Sequence, residues 1–445
     1  MNILFISLGC DKNLADSEQM LGLLVGEGHQ IVDSEEDADA IIINTCCFIL
    51  DAKEESVQTI LEMAEQKKNG RCSILIVAGC MAQRYKEEIM AEIPEVDACL
   101  GTASYDRILD ALKECSLKNK FQDYADISSP IPDIPRRVIT TGGHFGYLKI
   151  AEGCDKHCTY CIIPRLRGEY RSVPMERLVS QAEYMASQGV RELVLVAQET
   201  TVYGKDLYGE KSLHILLKKL CEIKGIRWIR VMYCYPEEIY DGLIKVMKEE
   251  KKICHYLDMP IQHASDRILG RMGRKTTKAE LLQNIGKLRR EIPDIVLRTS
   301  LIAGFPGETP EDHEEMMEFV DEVEFDRLGV FPYSAEEGTP AASMPDQVPE
   351  DQKKLWRDEI MELQQEICAA KGQERIGQET LVMIEGAVTG ESAYIGRTYA
   401  DAPDVDGYIF VQTGEALMTG DFVNVRVTGA LDYDLIGVVA DEFTE

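Results

Sequence analysis

Three cysteines, Cys154, Cys158 and Cys161, stand at the spacing C-x3-C-x2-C in the stretch Cys154-Asp155-Lys156-His157-Cys158-Thr159-Tyr160-Cys161. Thiolates are soft ligands, and a tight group of them suits an iron–sulfur cluster or zinc. A closed structural zinc site takes four ligands, usually as two separated pairs. Three ligands from one short loop leave one corner of a four-iron cluster open, and an open iron can hold a small molecule. Three buried thiols, or a zinc loop completed by His157, are the alternatives.

Such a loop needs a scaffold. At 445 residues the chain is too long for one ordinary core and suggests about three domains. Hydrophobic content of 45% with few low-complexity stretches indicates a folded protein. The start, Met1-Asn2-Ile3-Leu4-Phe5, has no basic n-region and no cleavage site. No run approaches the roughly 18 apolar residues that span a bilayer. The expectation is a soluble, cytoplasmic protein with no membrane partner. Fourteen cysteines in such a chain read as metal ligands plus buried thiols rather than disulfides. The formal charge of −30, from 78 acidic and 48 basic residues, argues against broad attraction to nucleic acid.

Over residues 1–115, apolar runs alternate with helical patterns. Ile3–Leu8, Ala40–Asn44, Ile74–Ala78 and Ala98–Leu100 read as strands, with helical periods between them. This alternation predicts a parallel sheet with helices on its faces. Cys10 follows the first strand, Cys46 the second and Cys80 the third. The carboxyl ends of neighbouring parallel strands lie along one rim, where open α/β sheets bind ligands. Three cysteines remote in sequence therefore converge as a second three-thiolate site. Cys47, Cys72, Cys99 and Cys115 lack that placement and read as packing residues.

Residues 116–143 change character. Ser128-Ser129-Pro130-Ile131-Pro132-Asp133-Ile134-Pro135 is Pro-rich and predicts an extended linker. From 144 to 371 the alternation resumes. Tyr147–Ala151, Glu192–Ala197, Trp228–Met232, Tyr256–Ile261, Val296–Ala303 and Arg327–Tyr333 read as strands. Six such units are too few for the eight of a closed TIM barrel. In barrel-like α/β folds chemistry sits at the carboxyl ends of strands. The cysteine loop follows the first of these strands, Gln198-Glu199 the second, Gln262-His263 the fourth and Gly304-Phe305-Pro306-Gly307-Glu308 the fifth. Gln198 and Gln262 are candidate cofactor or substrate contacts. Arg165, Arg167 and Arg171 form a local basic run, either a solvated loop or a partner for an acidic ligand. Glu350–Lys371 reads as a long helix between domains. Residues 372–441 then shift to short strands and glycine turns, predicting a small β-barrel of the OB type.

The cysteine loop, with Tyr160 before its last cysteine, resembles the signature of radical S-adenosylmethionine (SAM) enzymes. Three further stretches extend the likeness. They are Ser7-Leu8-Gly9-Cys10-Asp11-Lys12-Asn13, Asn44-Thr45-Cys46 and Gly79-Cys80-Met81-Ala82-Gln83-Arg84-Tyr85. With them, essentially the whole chain resembles the radical SAM methylthiotransferase family. Cys47 stands where a non-cysteine residue is more usual, and Cys46 is taken as the ligand.

The resemblance implies an α/β multidomain fold: an N-terminal parallel sheet domain, a central open (β/α)6 radical SAM barrel and a C-terminal TRAM barrel. It implies two four-iron, four-sulfide clusters, on Cys154, Cys158 and Cys161 and on Cys10, Cys46 and Cys80. SAM is then both methyl donor and radical source, with Tyr160 near its adenine. An electron donor such as flavodoxin or ferredoxin is implied, while the sulfur donor stays open. The Ser-Leu-Gly-Cys-Asp-Lys-Asn opening and an acidic C-terminal domain resemble the branch that methylthiolates the β-carbon of an aspartate in small-subunit ribosomal protein uS12, free or in the ribosomal subunit. That domain has fourteen acids after Gly372 against Arg375, Arg397 and Arg426. The alternatives are an adenosine in tRNA as substrate, or a noncatalytic iron–sulfur sensor or scaffold.

Overall fold

The computed structural model describes residues 1–440, so residue 441, the last of the expected C-terminal domain, lies outside the described residues. The first strands are β1 (Asn2–Ser7), β2 (Gln30–Val32), β3 (Ala40–Thr45), β4 (Ile74–Gly79), β5 (Ala98–Leu100) and β6 (Phe121–Asp123). They form one sheet in the order β2-β1-β3-β4-β5-β6 with every pairing parallel. β3 and β4 are buried along their whole length, as central strands covered on both faces must be. The edge strands β2 and β6 were not expected. Each has three residues, too few to carry a readable alternation. Phe121–Asp123 pairs with Ala98–Leu100, so part of the stretch read as linker belongs to the N-terminal sheet.

The central strands are β7 (Phe145–Lys149), β8 (Ala151–Glu152), β9 (Arg171–Ser172), β10 (Glu192–Val196), β11 (Trp228–Val231), β12 (Ile253–Asp258), β13 (Val296–Ala303) and β14 (Arg327–Pro332). Six of them form an open parallel sheet in the sequential order β7-β10-β11-β12-β13-β14. The remaining pair, β8 and β9, is a two-residue antiparallel clasp around the cysteine loop, too short to be read from sequence.

The helix Glu350–Glu374 leads into β15 (Glu379–Ala387), β16 (Ala393–Thr398), β17 (Ile409–Gln412), β18 (Phe422–Leu431) and β19 (Asp434–Val439). These close into a barrel in the order β15-β16-β17-β19-β18. The barrel packs on the central sheet: Met383, Ala400 and Ala402 share one apolar cluster with Phe145, Tyr147, Val194, Trp228 and Tyr256. Charged and polar contacts, several of them buried, fix the arrangement. Glu192 lies between Arg230 at 2.8 Å and Arg397 at 2.7 Å. Asp401 pairs with Arg327, and Asp406 accepts from Tyr256 Oη at 2.7 Å and faces Arg298 at 3.4 Å. Asp404 accepts from Tyr147 Oη, and Glu385 pairs with Arg397 and His144. The expectation of an acidic C-terminal surface counted every acid as free. Glu385, Asp401, Asp404 and Asp406 instead face the central domain.

Candidate functional site

The three N-terminal cysteines sit where the strands deliver them. Cys10 is the residue before the helix Asp11–Gly26, Cys46 follows β3, and Cys80 opens the helix Cys80–Tyr85 directly after β4. β1, β3 and β4 are adjacent in the sheet, so the cysteines share one rim. Gly9 makes the approach possible: a Cβ there would fall 2.5 Å from Cys46 Cβ and 2.9 Å from Cys46 Sγ. Asn13 ties the loops together, its Nδ2 donating to Leu8 O at 3.1 Å and Thr45 O at 2.9 Å. Ser56 Oγ holds Cys46 through both its backbone N–H, at 3.1 Å, and its carbonyl, at 2.8 Å. Cys46 and Cys80 are buried, while Cys10 is exposed at the mouth of the rim. Burial, then the neighbouring Cys80 sulfur, pushes the Cys46 thiol up to about 12. Burial also raises Cys80, against the guanidinium of Arg167.

The second group is held by the β8–β9 clasp. Gly153 takes φ of +81°, and a Cβ there would meet Glu169 O at 2.1 Å, so only glycine lets the loop leave β8. Cys154 N donates to Gly168 O at 3.1 Å and Cys161 N to Cys158 O at 3.0 Å. Thr159 N reaches Met272 O at 2.9 Å, anchoring the loop to the strand-end segment after β12. Burial and the mutual proximity of the sulfurs push Cys154 up to about 11 and Cys161 up to about 12. His157 is exposed, at φ of +52°.

Both groups fit iron–sulfur clusters in donor chemistry. Each brings three thiols together, two or more of them buried, and metal binding would displace their protons. Among the described residues no three His, Cys, Asp or Glu side chains are arranged for a single metal ion. A four-iron cluster asks for wider spacing, because each thiolate meets a different iron.

Around the second group the sequence candidates separate. Gln198 donates from Nε2 to Glu152 Oε1 at 2.9 Å, and its Oε1 is buried without a partner, free to accept from a ligand. Tyr160 lies edge-on to Phe305 at 6.4 Å and beside Cys158. Gln262 takes φ of +72°, and its backbone extends the pairing toward β13 through Ser300 O at 2.9 Å. Glu308 closes its own turn, accepting from Gly304 N at 2.7 Å and Phe305 N at 2.9 Å. Its other oxygen stands 3.4 Å from His263 Nε2. These two residues therefore shape the loop.

Of the three arginines only Arg167 is buried, and it is in neither place that the sequence suggested. It reaches from the cysteine loop across to the N-terminal sheet. Nη1 meets Asp16 at 2.8 Å and Glu152 at 3.0 Å, and Nη2 meets Asn13 and Cys80 Sγ, the latter at 3.5 Å. Lys149 completes the knot with Glu152 at 2.7 Å and Asp16. Burial alone would raise the Glu152 carboxyl, but Arg167 and Lys149 hold it well below the usual carboxylate range. One buried ionic network therefore runs from Cys80 through Arg167 and Glu152 to Gln198. Sequence reasoning missed it because Asp16, Lys149 and Glu152 carry no spacing that relates them.

Glu199 stands next to Gln198 in the loop after β10. It is 1% exposed, accepts from Thr201 N at 2.9 Å, and its Oε2 has no partner. Burial pushes its carboxyl up to about 7. The folded state then binds a proton that the unfolded chain, with a carboxyl near 4.3, has lost. The stabilisation is complete below about pH 4.3 and is lost as pH rises through about 7, a difference of roughly 4 kcal/mol. In the metal-free protein, Glu199→Gln should flatten the fall in urea midpoint between about pH 5 and 8. An unchanged slope would show the carboxyl ionised throughout.

Comparison with known proteins matches this architecture in all three parts. A model described as uncharacterized protein family UPF0004 matches residues 2–101, one described as Radical SAM superfamily matches 148–320, and one described as TRAM domain matches 376–440. A protein of Lachnoclostridium phytofermentans named ribosomal protein uS12 methylthiotransferase RimO is 60% identical, covering 98% of this chain and 99% of that one. A protein of the same name from Acetivibrio thermocellus is 51% identical, covering 98% of each. Among solved structures, the radical SAM methyltransferase TsrM of Kitasatospora setae aligns with a TM-score of 0.56 at 13% identity over 76% of each chain. The cobalamin-dependent radical SAM enzyme OxsB aligns at 0.53 and 15% identity, over 81% of this chain and 56% of that one. At such identities these two speak for the fold alone. The radical SAM family implies SAM and a four-iron, four-sulfide cluster as cofactors. Identity of 60% over nearly all of both chains, with a radical SAM domain between the two flanking ones, makes this protein a member of the RimO family of radical SAM methylthiotransferases.

Proposed function

We propose that the protein adds a methylthio group to the β-carbon of an aspartate in ribosomal protein uS12, using two iron–sulfur clusters. The carrying observation is that two thiol triads stand at strand carboxyl ends, with a network running from Cys80 of one through Arg167 to Glu152, two residues before Cys154 of the other, and on to Gln198. Cys154, Cys158 and Cys161 would hold the first cluster, which with SAM and an electron from the donor would supply a hydrogen-abstracting radical, and Cys10, Cys46 and Cys80 would hold the second, which would supply the sulfur. The protein's own part is to orient and to exclude water. Gln198 offers its free Oε1 and Tyr160 its ring to SAM, with Gln262 shaping the adjacent strand end, while the ionic knot fixes the distance between the domains.

This reading takes three functional domains, the first running through Asp123, the second through the long helix Glu350–Glu374 and the third as the closed barrel. The names of the relatives support the substrate, and so does a formal charge of −30, which favours a basic protein over a phosphate backbone. No helix among the described residues is long and apolar enough to cross a membrane, in keeping with a cytoplasmic enzyme served by flavodoxin or ferredoxin.

The test offers anaerobically reconstituted enzyme a uS12-derived peptide and unmodified tRNA, with products read by mass spectrometry. Methylthiolated peptide and unmodified tRNA are expected. The reverse would assign the tRNA adenosine as substrate and leave the two-cluster mechanism intact.

A further inference from the structure

We infer that Lys12 binds the carboxylate of the residue to be modified, and so selects an acidic side chain and sets its β-carbon in the reaction site. The inference rests on the aspartate reading above and adds to it the group that reads the charge. Lys12 lies in the first turn of the helix Asp11–Gly26, two residues past Cys10. Its side chain leaves the N-terminal domain and places Nζ 3.3 Å from the ring centroid of Tyr233, at the end of β11. Tyr233 has φ of +60°, a strained value for a bulky residue. Its N–H donates to Asp258 Oδ2 at 2.9 Å, and its carbonyl accepts from Thr200 N at 3.0 Å. Two residues on, Tyr235 Oη stands 3.8 Å from Cys158 Sγ. The ammonium therefore lies beside Cys10 of one triad and against Tyr233, two residues before the tyrosine that touches Cys158 of the other.

The surroundings suit a carboxylate. Lys12 is 8% exposed, yet it adjoins Cys10, the exposed member of its triad, so its setting is dry but reachable. An ammonium has three donors. Asp11 Oδ1 at 2.9 Å and Tyr233 are its partners, which leaves one direction for a ligand. In a site of low dielectric, a charge-assisted bond is about twice as strong as a neutral one, so Lys12 discriminates a carboxylate from an amide of the same shape. A carboxylate held there also fixes the carbon one bond away, which is the position that receives the group. The competing role is a structural one, Asp11, Lys12 and Tyr233 simply clamping the two domains.

The two roles separate by substrate charge. The probes are two uS12-derived peptides differing only in Asp or Asn at the target position, with dissociation constants measured on reconstituted enzyme with SAM and no reductant. The wild-type protein should bind the Asp peptide at least about tenfold tighter. Lys12→Met should bring the ratio to about one, and Lys12→Arg should largely restore it. Should Lys12→Met fail to fold, Asp11→Asn serves instead: removing the competing carboxylate should raise the Asp preference above wild type. A clamp would lower affinity for both peptides alike and leave the ratio standing. An unchanged ratio in Lys12→Met, or an unchanged or lowered one in Asp11→Asn, would overturn the inference. If the wild-type enzyme still methylthiolates the Asp peptide, that failure is the inference's alone. If it modifies neither peptide, the aspartate reading falls as well.

Discussion

A Cys80→Ala variant should still make 5′-deoxyadenosine from SAM but yield no methylthiolated product, whereas Cys158→Ala should lose both. The two triads stand in different domains on different sheets, and apart from the Arg167 contact to Cys80 each is built by its own loop contacts. Removing one thiol therefore disables one site and leaves the scaffold of the other. Reconstituted wild-type protein should carry roughly eight irons and eight sulfides, four of each per cluster. A triple Cys154→Ala, Cys158→Ala, Cys161→Ala variant should keep about half. Cys47→Ala should keep both the iron and the product. Cys46 Sγ lies against the Gly9–Cys10 turn and its thiol feels both Cys10 and Cys80. Cys47 also feels Cys80, but it is fully buried in the apolar cluster with Ile41, Ile43 and Val77, and its carbonyl accepts from Arg84 Nη1. Normal product from Cys80→Ala, or loss of product from Cys47→Ala, would require a different set of ligands. Anaerobic iron and sulfide analysis with mass spectrometry of both products decides it.

The second large effect is expected at Glu192. Its two oxygens meet Arg230 at 2.8 Å and Arg397 at 2.7 Å, and all three side chains are at most 1% exposed. Replacing a buried pair by apolar groups can be neutral, but removing one partner leaves uncompensated charge. Glu192→Ala leaves two buried guanidiniums against Glu385 alone and should cost about 3–5 kcal/mol. Because Arg397 belongs to the C-terminal barrel and Glu192 and Arg230 to the central sheet, the loss should appear first as undocking of the barrel. Limited proteolysis after the helix Glu350–Glu374 and a lowered unfolding midpoint would register it. A midpoint within about 0.5 kcal/mol of wild type would mean that the apolar contact alone holds the barrel. Burial tends to raise the Glu192 carboxyl, but Arg397 and Arg230 hold it below its ordinary value. Its contribution is then fully present above the unfolded carboxyl value, about 4.3, and is lost as pH falls through the depressed folded one.

Much of the site was legible in the chain because its signals are local. Cys154, Cys158 and Cys161 lie within eight residues, and their spacing already states a three-thiolate loop. That Cys10, Cys46 and Cys80 share one rim follows from a short inference: each follows an apolar run, and parallel strands align their ends. The six central strands and the long helix were readable for the same reason, since each is long enough for its apolar residues to recur in a local pattern. The three-residue strands β2 and β6 and the two-residue clasp β8–β9 left none, because their pairing is decided by neighbours across the sheet.

What only the tertiary structure decided is how charge is distributed. Sequence counts placed fourteen acids on the C-terminal domain and three arginines after the cysteine loop, and charge counted along a chain says nothing about pairing. Folding brought Asp401, Asp404 and Asp406 against Arg327, Tyr147 and Arg298, and carried Arg167 to Cys80, 87 positions away in the chain. Lys12 and Tyr233 belong to the same class, an ammonium from one domain over a ring from another. The types and spacing of the cysteines determine the chemistry, because thiolate ligation is a property of the residues themselves. The partners of the buried charges come from the packing of one domain on another, because a charge taken out of water is stable only where another element supplies its counter-ion.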